Sequence, residues 1–132
     1  MLAADGFRGT FRVMQSNGGV MAAETAKRIP VTMMESGPVA GVIAAAHLGA
    51  TLDIRHIISF DMGGTTASAS LVQNGELTRT NEYEFRAGIS TPSRFIKAGG
   101  YLMRVPTVDV AEVGNGAGSI ATVDAGGMLH VG

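Results

Sequence analysis

The residues with the clearest chemical potential are Asp61, Gly63, Gly64, Thr65 and Thr66, which stand in the order Asp-Met-Gly-Gly-Thr-Thr. A carboxylate followed by two glycines suits anionic oxygen ligands. Glycines let backbone N–H groups point into a concavity where phosphate oxygens fit. The threonine hydroxyls add donors, and the carboxylate can hold a hydrated Mg2+ or position a water. The same residues also describe an ordinary strand-to-turn junction, so the spacing alone leaves both readings open.

Further candidates are weaker. Asn17, Gly18 and Gly19 sit in a Ser-Asn-Gly-Gly turn that either lines a ligand cleft or joins a strand to a helix. Gly114, Gly116 and Gly118 belong to a Gly-Asn-Gly-Ala-Gly loop that either offers backbone donors to a substrate or nucleotide or is a plain connection. Arg94 and Lys97 either reach an anion or lie on a solvated loop. Asp109 and Glu112, three apart in a strand-like stretch, are expected on opposite faces, which argues against an acid–base pair. His47, His56 and His130 lack metal-ligand spacing.

Elements must carry these residues. Residues 56–62 (HIISFDM) read as the strongest strand, delivering Asp61 to its end, and residues 67–73 read as the next strand. Asn74-Gly75 is the favoured two-residue hairpin pair and predicts a return strand over 77–85. A strand after the glycines sets this loop apart from Walker and dinucleotide-binding loops, each of which opens a helix.

Upstream, residues 10–15 predict a strand, 20–28 a helix stopped by Pro30, and 29–34 a second short strand. Pro38 followed by Val39, Val42, Ile43, Ala46 and Ala50 predicts a closely packed helix through about His47, broken over 48–53. Downstream, residues 86–100 have no period and read as a loop, 101–113 alternate like a strand, and 119–131 predict a hairpin turning at 124–127.

Composition excludes several classes. The 132 residues carry a formal net charge of -1, without the basic excess that a nucleic-acid partner demands. Cysteine is absent, which rules out disulfides and thiolate chemistry and fits a cytoplasmic protein. The longest apolar stretch, residues 39–50, falls well short of the roughly 20 residues of a membrane span. The eight methionines read as core fillers.

The order Glu35-Ser36-Gly37-Pro38-x-Ala40-Gly41-Val42, then Ile58-Ser59-Phe60-Asp61-Met62-Gly63-Gly64-Thr65-Thr66, resembles the connecting helix and second phosphate loop of the actin, heat-shock chaperone and sugar-kinase superfamily. More narrowly it resembles hydantoinase A and 5-oxoprolinase, including N-methylhydantoinase A and acetone carboxylase beta-like proteins. Met14-Gln15-Ser16-Asn17-Gly18-Gly19 precedes these motifs; Val105-Pro106-x-Val108-Asp109, Ser119-Ile120-Ala121 and Asp124-x-Gly126-Gly127 follow. The resemblance covers nearly the whole chain.

The resemblance implies that residues 1–132 are an internal part of an ATPase domain with a ribonuclease H-like, actin-type α/β fold, a mixed sheet with packed helices. The implied activity is ATP- and Mg2+-dependent opening of a small cyclic amide, such as a hydantoin or 5-oxoproline, or activation of a carbonyl compound, by phosphoryl transfer to the substrate oxygen. Asp61, Gly63, Gly64, Thr65 and Thr66 take the phosphate role, Asp61 also the metal and catalytic one. The implied partners are the remainder of the hydantoinase A subunit and a hydantoinase B type subunit.

Two departures temper the likeness. Only one Asp-x-Gly-Gly-Thr is present, so the isolated chain is expected to bind ATP weakly or not at all. Ala67, Ser68 and Ala69 supply no charge where many relatives carry an acid or a lysine. Two other readings remain open: a non-catalytic assembly module or remnant, and a different actin-type ATPase or kinase.

Overall fold

A computed structural model describes residues 2, 4–86, 89–91 and 100–132, the side chains of residues 85–91 excepted. The described residues build an α/β unit around one large sheet and one long helix. The first hairpin pairs β1 (Arg12–Met14) with β2 (Val20–Ala22). Short α1 (Ala23–Arg28) follows, then a 3-10 turn (Pro30–Met33), then α2 (Ser36–Thr51).

The large sheet runs in the order β3 (Ile57–Met62), β4 (Ala67–Gln73), β11 (Ala111–Val113), β8 (Ile89–Thr91), β7 (Tyr83–Arg86), β9 (Tyr101–Met103), with β5 (Glu76–Leu77) also on β4. The pair of β6 (Arg79–Thr80) with β10 (Thr107–Val108), and the hairpin β12 (Ala121–Val123) with β13 (Leu129–Val131), stand apart. Every ladder among the described residues is antiparallel, which corrects the expected mixed sheet. Strands joined by turns as short as Asn74-Gly75 must reverse direction, whereas parallel neighbours need long crossovers.

The core explains the helix. Val39 and Val42 of α2 pack with Val72, Val108 and Val110, backed by Ile43, Ala46, Ile57 and Leu77. Val39, Val42, Ile43 and Ala46 stand at i, i+3, i+4 and i+7, so they fall on one stripe of the helix. Gly49 extends it: a side chain there would strike Ile57 and the carbonyl of Ile54, so the end of α2 lies directly on the start of β3. On the other face of β3 and β4, Ile58 is 74% and Phe60 64% exposed, and Leu71 is exposed beside them, as is Val113 of β11.

Three expected elements differ. Residues 20–22 form the return strand β2 because the turn at 17–19 folds them onto β1, so the helix starts only at Ala23. In place of a strand over 29–34, Pro30–Met33 form a 3-10 turn, since Pro30 starts it and Thr32 Oγ1 donates to the carbonyl of Ile29. The helix expected to break after His47 runs to Thr51, where the Thr51 hydroxyl donates to the His47 carbonyl.

The long strands expected downstream are each divided. Residues 77–85 are shared among β5, β6 and β7, and 101–113 among β9, β10 and β11, as the chain passes between the large sheet and the β6–β10 pair. Residues 86–100, read as a loop, contain β8, which pairs back on β7. Arg94 and Lys97 lie outside the described residues.

Candidate functional site

β3 carries Asp61 to the sheet edge in the expected way. Its neighbour β4 runs antiparallel in the register Asp61 to Ser68, so both side chains share one face. Between the strands, residues 63–66 close a tight loop in which the Gly63 N–H donates to the Thr66 carbonyl at 2.9 Å. Asp61 is exposed and makes no ion pair among the described residues.

The second glycine loop packs on the first. The Ala117 N–H donates to the Gly63 carbonyl at 2.8 Å and the Gly118 N–H to the Gly64 carbonyl at 3.2 Å. An added Cβ on Gly116 would sit 2.5 Å from the Thr65 nitrogen and 2.6 Å from the Gly63 oxygen. Of the loop glycines, Gly118 thus has its N–H bonded to the phosphate-type loop. The N–H groups of Gly64 and Thr65 find no acceptor among the described residues.

The third candidate turn is built differently. The Asn17 side chain accepts from the Gly19 N–H at 2.8 Å and Gly18 takes φ 89°, which closes the hairpin. With Ile43, Leu77, Arg79 and Pro106 this turn lines an open concavity. No hydrogen bond joins it to residues 61–66 among the described residues. Thus the structure brings Asp61, Gly63, Gly64, Thr65 and Thr66 together with Gly116 and Gly118.

Sequence reasoning missed a carboxyl pair. Glu35, immediately before α2, hydrogen-bonds Glu112 of β11, and Glu112 accepts a further bond from the Ser68 hydroxyl at 2.7 Å. Burial first, then the Glu112 hydrogen bond and its charge, raise the Glu35 pKa from 4.5 to about 8. A helix N-terminus favours a charged carboxylate by about 0.3–1 kcal/mol. At Glu35 burial and the neighbouring acid outweigh it. The left-handed backbone of Glu35, φ 61°, is the local mark of a constrained position.

This pair lies on the face that bears Asp61, because β11 registers Glu112 opposite Ser68 and β3 registers Asp61 opposite Ser68. Two strand spacings, roughly 10 Å, separate the Asp61 and Glu112 backbones. Asp109, by contrast, sits among Ala69, Leu71 and Ala111, and burial raises its pKa. Of the histidines, His130 contacts Asp124 at 2.9 Å. That contact and the N–H groups of Met128, Gly126 and Gly127 hold the Asp124 pKa below its usual value.

No group of three or more histidine, aspartate or glutamate side chains converges on a metal position among the described residues. A cation beside Asp61 would therefore keep water and phosphate oxygens as most of its ligands, the habit of Mg2+. Asp61, the N–H groups of Gly64 and Thr65, which have no acceptor among the described residues, and the Thr65 and Thr66 hydroxyls fit a hydrated cation with a phosphate group. No helix among the described residues is long and apolar enough to cross a membrane.

Comparison with known proteins gives a consistent picture. The hydantoinase/oxoprolinase family model matches residues 1–132. An uncharacterised protein of Methanocaldococcus jannaschii is 47% identical over 127 residues, 96% of this chain and 18% of that protein. The caprolactamase subunit alpha of Pseudomonas jessenii is 35% identical over 121 residues, 92% of this chain and 16% of that protein. A nucleotide-free structure of acetone carboxylase, described in terms of ATP-dependent acetone carboxylation, superposes with a TM-score of 0.73 at 30% identity. The match covers 98% of this chain and 16% of that one, so the chain spans less than a fifth of the length of these relatives.

Proposed function

Because the chain belongs to the hydantoinase/oxoprolinase family, we propose that it supplies one of the two phosphate-gripping loops of an ATP-dependent cyclic amidohydrolase. The proposal extends to residues 1–132 as part of a ribonuclease H-like, actin-type ATPase domain: connecting helix α2, the loop at 61–66 and the following hairpins. The working enzyme would be cytoplasmic and would include the rest of its own subunit and a hydantoinase B type partner. The subunit designation of its caprolactamase relative supports a multi-subunit assembly.

One observation carries this reading. Gly64 and Thr65 present N–H groups with no acceptor among the described residues, beside an exposed carboxylate at a strand end, and donors of this kind suit phosphate. ATP would supply a transferable phosphoryl group that makes the carbonyl of a small cyclic amide a better electrophile. Asp61 would hold Mg2+ through its Oδ atoms. The Gly64 and Thr65 amides and the threonine hydroxyls would orient phosphate oxygens, so that alignment and charge stabilisation do most of the catalytic work. The 35% identity to a caprolactamase subunit supports opening of a hydantoin or 5-oxoproline ring, a lactam being a cyclic amide, and the equal 35% identity to an acetone carboxylase beta subunit supports activation of a carbonyl compound by the same phosphoryl transfer.

The test is Asp61→Asn in the full-length protein. ATP turnover is expected to fall at least about 100-fold, the order lost when a charged transition-state contact is removed. Turnover within twofold of the unsubstituted protein, with ATP still hydrolysed, would remove this loop from the active site. ATP use without any cyclic amide substrate would instead favour a kinase-like relative.

A further inference from the structure

The phosphate-type loop is tied to a second glycine loop as well as to itself. Within residues 61–66 the only loop-closing backbone bond is from the Gly63 N–H to the Thr66 carbonyl. Its two outward carbonyls, Gly63 and Gly64, are instead fixed by the Ala117 and Gly118 N–H groups of the second glycine loop. Each peptide unit is planar and trans, so its carbonyl and N–H point in opposite directions. Fixing the Gly63 and Gly64 carbonyls toward residues 117–118 therefore turns the Gly64 and Thr65 N–H groups the other way. Those are the two donors that have no acceptor among the described residues.

We propose that residues 114–118 are a buttress that orients the ligand-facing amides of Gly64 and Thr65, with Gly116 as its positioning residue. A Cβ at Gly116 would meet the Thr65 nitrogen at 2.5 Å, the Gly63 oxygen at 2.6 Å and the Gly64 carbonyl carbon at 2.6 Å. All three are backbone atoms, so no side-chain rotation relieves the clash. The Ser119 N–H donates to the Gly116 carbonyl at 2.9 Å and closes the turn that brings Gly116 inward. Gly118 is less crowded, with 3.1 Å to the Gly64 oxygen, and Gly41 of α2 has open space around it. The three glycines form a graded series. The catalytic consequence rests on the phosphate reading above; the orientation of the loop does not.

The experiment uses the full-length protein carrying Gly41→Ala, Gly118→Ala, Gly116→Ala and, separately, Asp61→Asn. Two readouts are taken: hydrogen exchange of the peptide containing residues 63–66, and steady-state ATP turnover resolved into kcat and KM. Gly116→Ala is expected to raise exchange at 63–66 while α2 keeps its protection, and to lower kcat/KM for ATP about 100-fold, the scale of a ~1 Å misplacement. Gly118→Ala should fall between it and Gly41→Ala, which should match the unsubstituted protein. Unchanged exchange at 63–66 in Gly116→Ala overturns the buttress. If Gly116→Ala does not fold, Gly118→Ala decides: faster exchange confined to 63–66 supports the buttress, and unchanged exchange overturns it. Unchanged turnover in Asp61→Asn, with exchange altered in Gly116→Ala, overturns the phosphate reading and leaves the buttress standing.

Discussion

The Ser68 hydroxyl donates to Glu112 Oε1 at 2.7 Å, joining the strand that follows the glycine loop to the carboxyl pair beside the start of α2. Ser68 is buried, so losing its acceptor would leave a hydroxyl without its partner. Glu112→Ala is expected to lower stability by about 1–3 kcal/mol, read from the denaturant midpoint of the 132-residue chain. Ser68→Ala, which removes the donor and leaves no hydroxyl without a partner at that position, should cost less. Equal losses in the two variants would mean that packing, not the bond, dominates.

Glu35 gives the fold a pH dependence whose sign follows from its raised pKa. The folded chain retains a proton at Glu35 that the unfolded chain releases near 4.5. Its contribution is therefore fully present below about 4.5 and is lost as pH rises toward about 8. Glu35→Gln, which keeps a donor to Glu112 without an ionisable group, should flatten stability across that window. Chemical denaturation at a series of pH values checks this, and an unaltered slope would assign the dependence elsewhere.

The core cluster makes a quantitative demand. Val39 is fully buried against the valines of the sheet. Val39→Ala should cost about 1.5–3 kcal/mol, the range for a buried aliphatic side chain. Exposed Leu48, on the far side of the same helix, should tolerate alanine within about 0.5 kcal/mol.

Gly75 takes φ 80° in the turn between β4 and β5, after Asn74 at φ 56°. Gly75→Ala forces a Cβ into the left-handed region and should cost roughly 1–2 kcal/mol by thermal unfolding. No loss would mean that the hairpin relaxes to another turn.

Local chemistry explains what was legible in the sequence. Asn74-Gly75 dictates its turn by backbone preference, and the 3.6-residue spacing of Val39, Val42, Ile43 and Ala46 declares the buried face of α2. Asp61 at a strand end was legible because residues 57–62 form a continuous β-rich run. What the sequence hid depends on distant partners. Residues 20–22 read as helix because the alanines after them favour it, and only pairing with β1 makes them a strand. Glu35 and Glu112 carry no local signal of their meeting; the ladder between β4 and β11 brings them together. The role of Gly116 was hidden similarly, since a glycine-rich loop looks alike whether it faces a ligand or another backbone.

The central claim is that the Gly64 and Thr65 amides face a nucleotide phosphate. Its most direct measurement is hydrogen exchange of the peptide containing residues 63–66 in the full-length protein, with and without Mg2+ and a non-hydrolysable ATP analogue. Selective slowing at 63–66 on addition of both, absent in Asp61→Asn, is the result this account expects. Nucleotide binding elsewhere in the protein, with exchange at 63–66 unchanged, would contradict it.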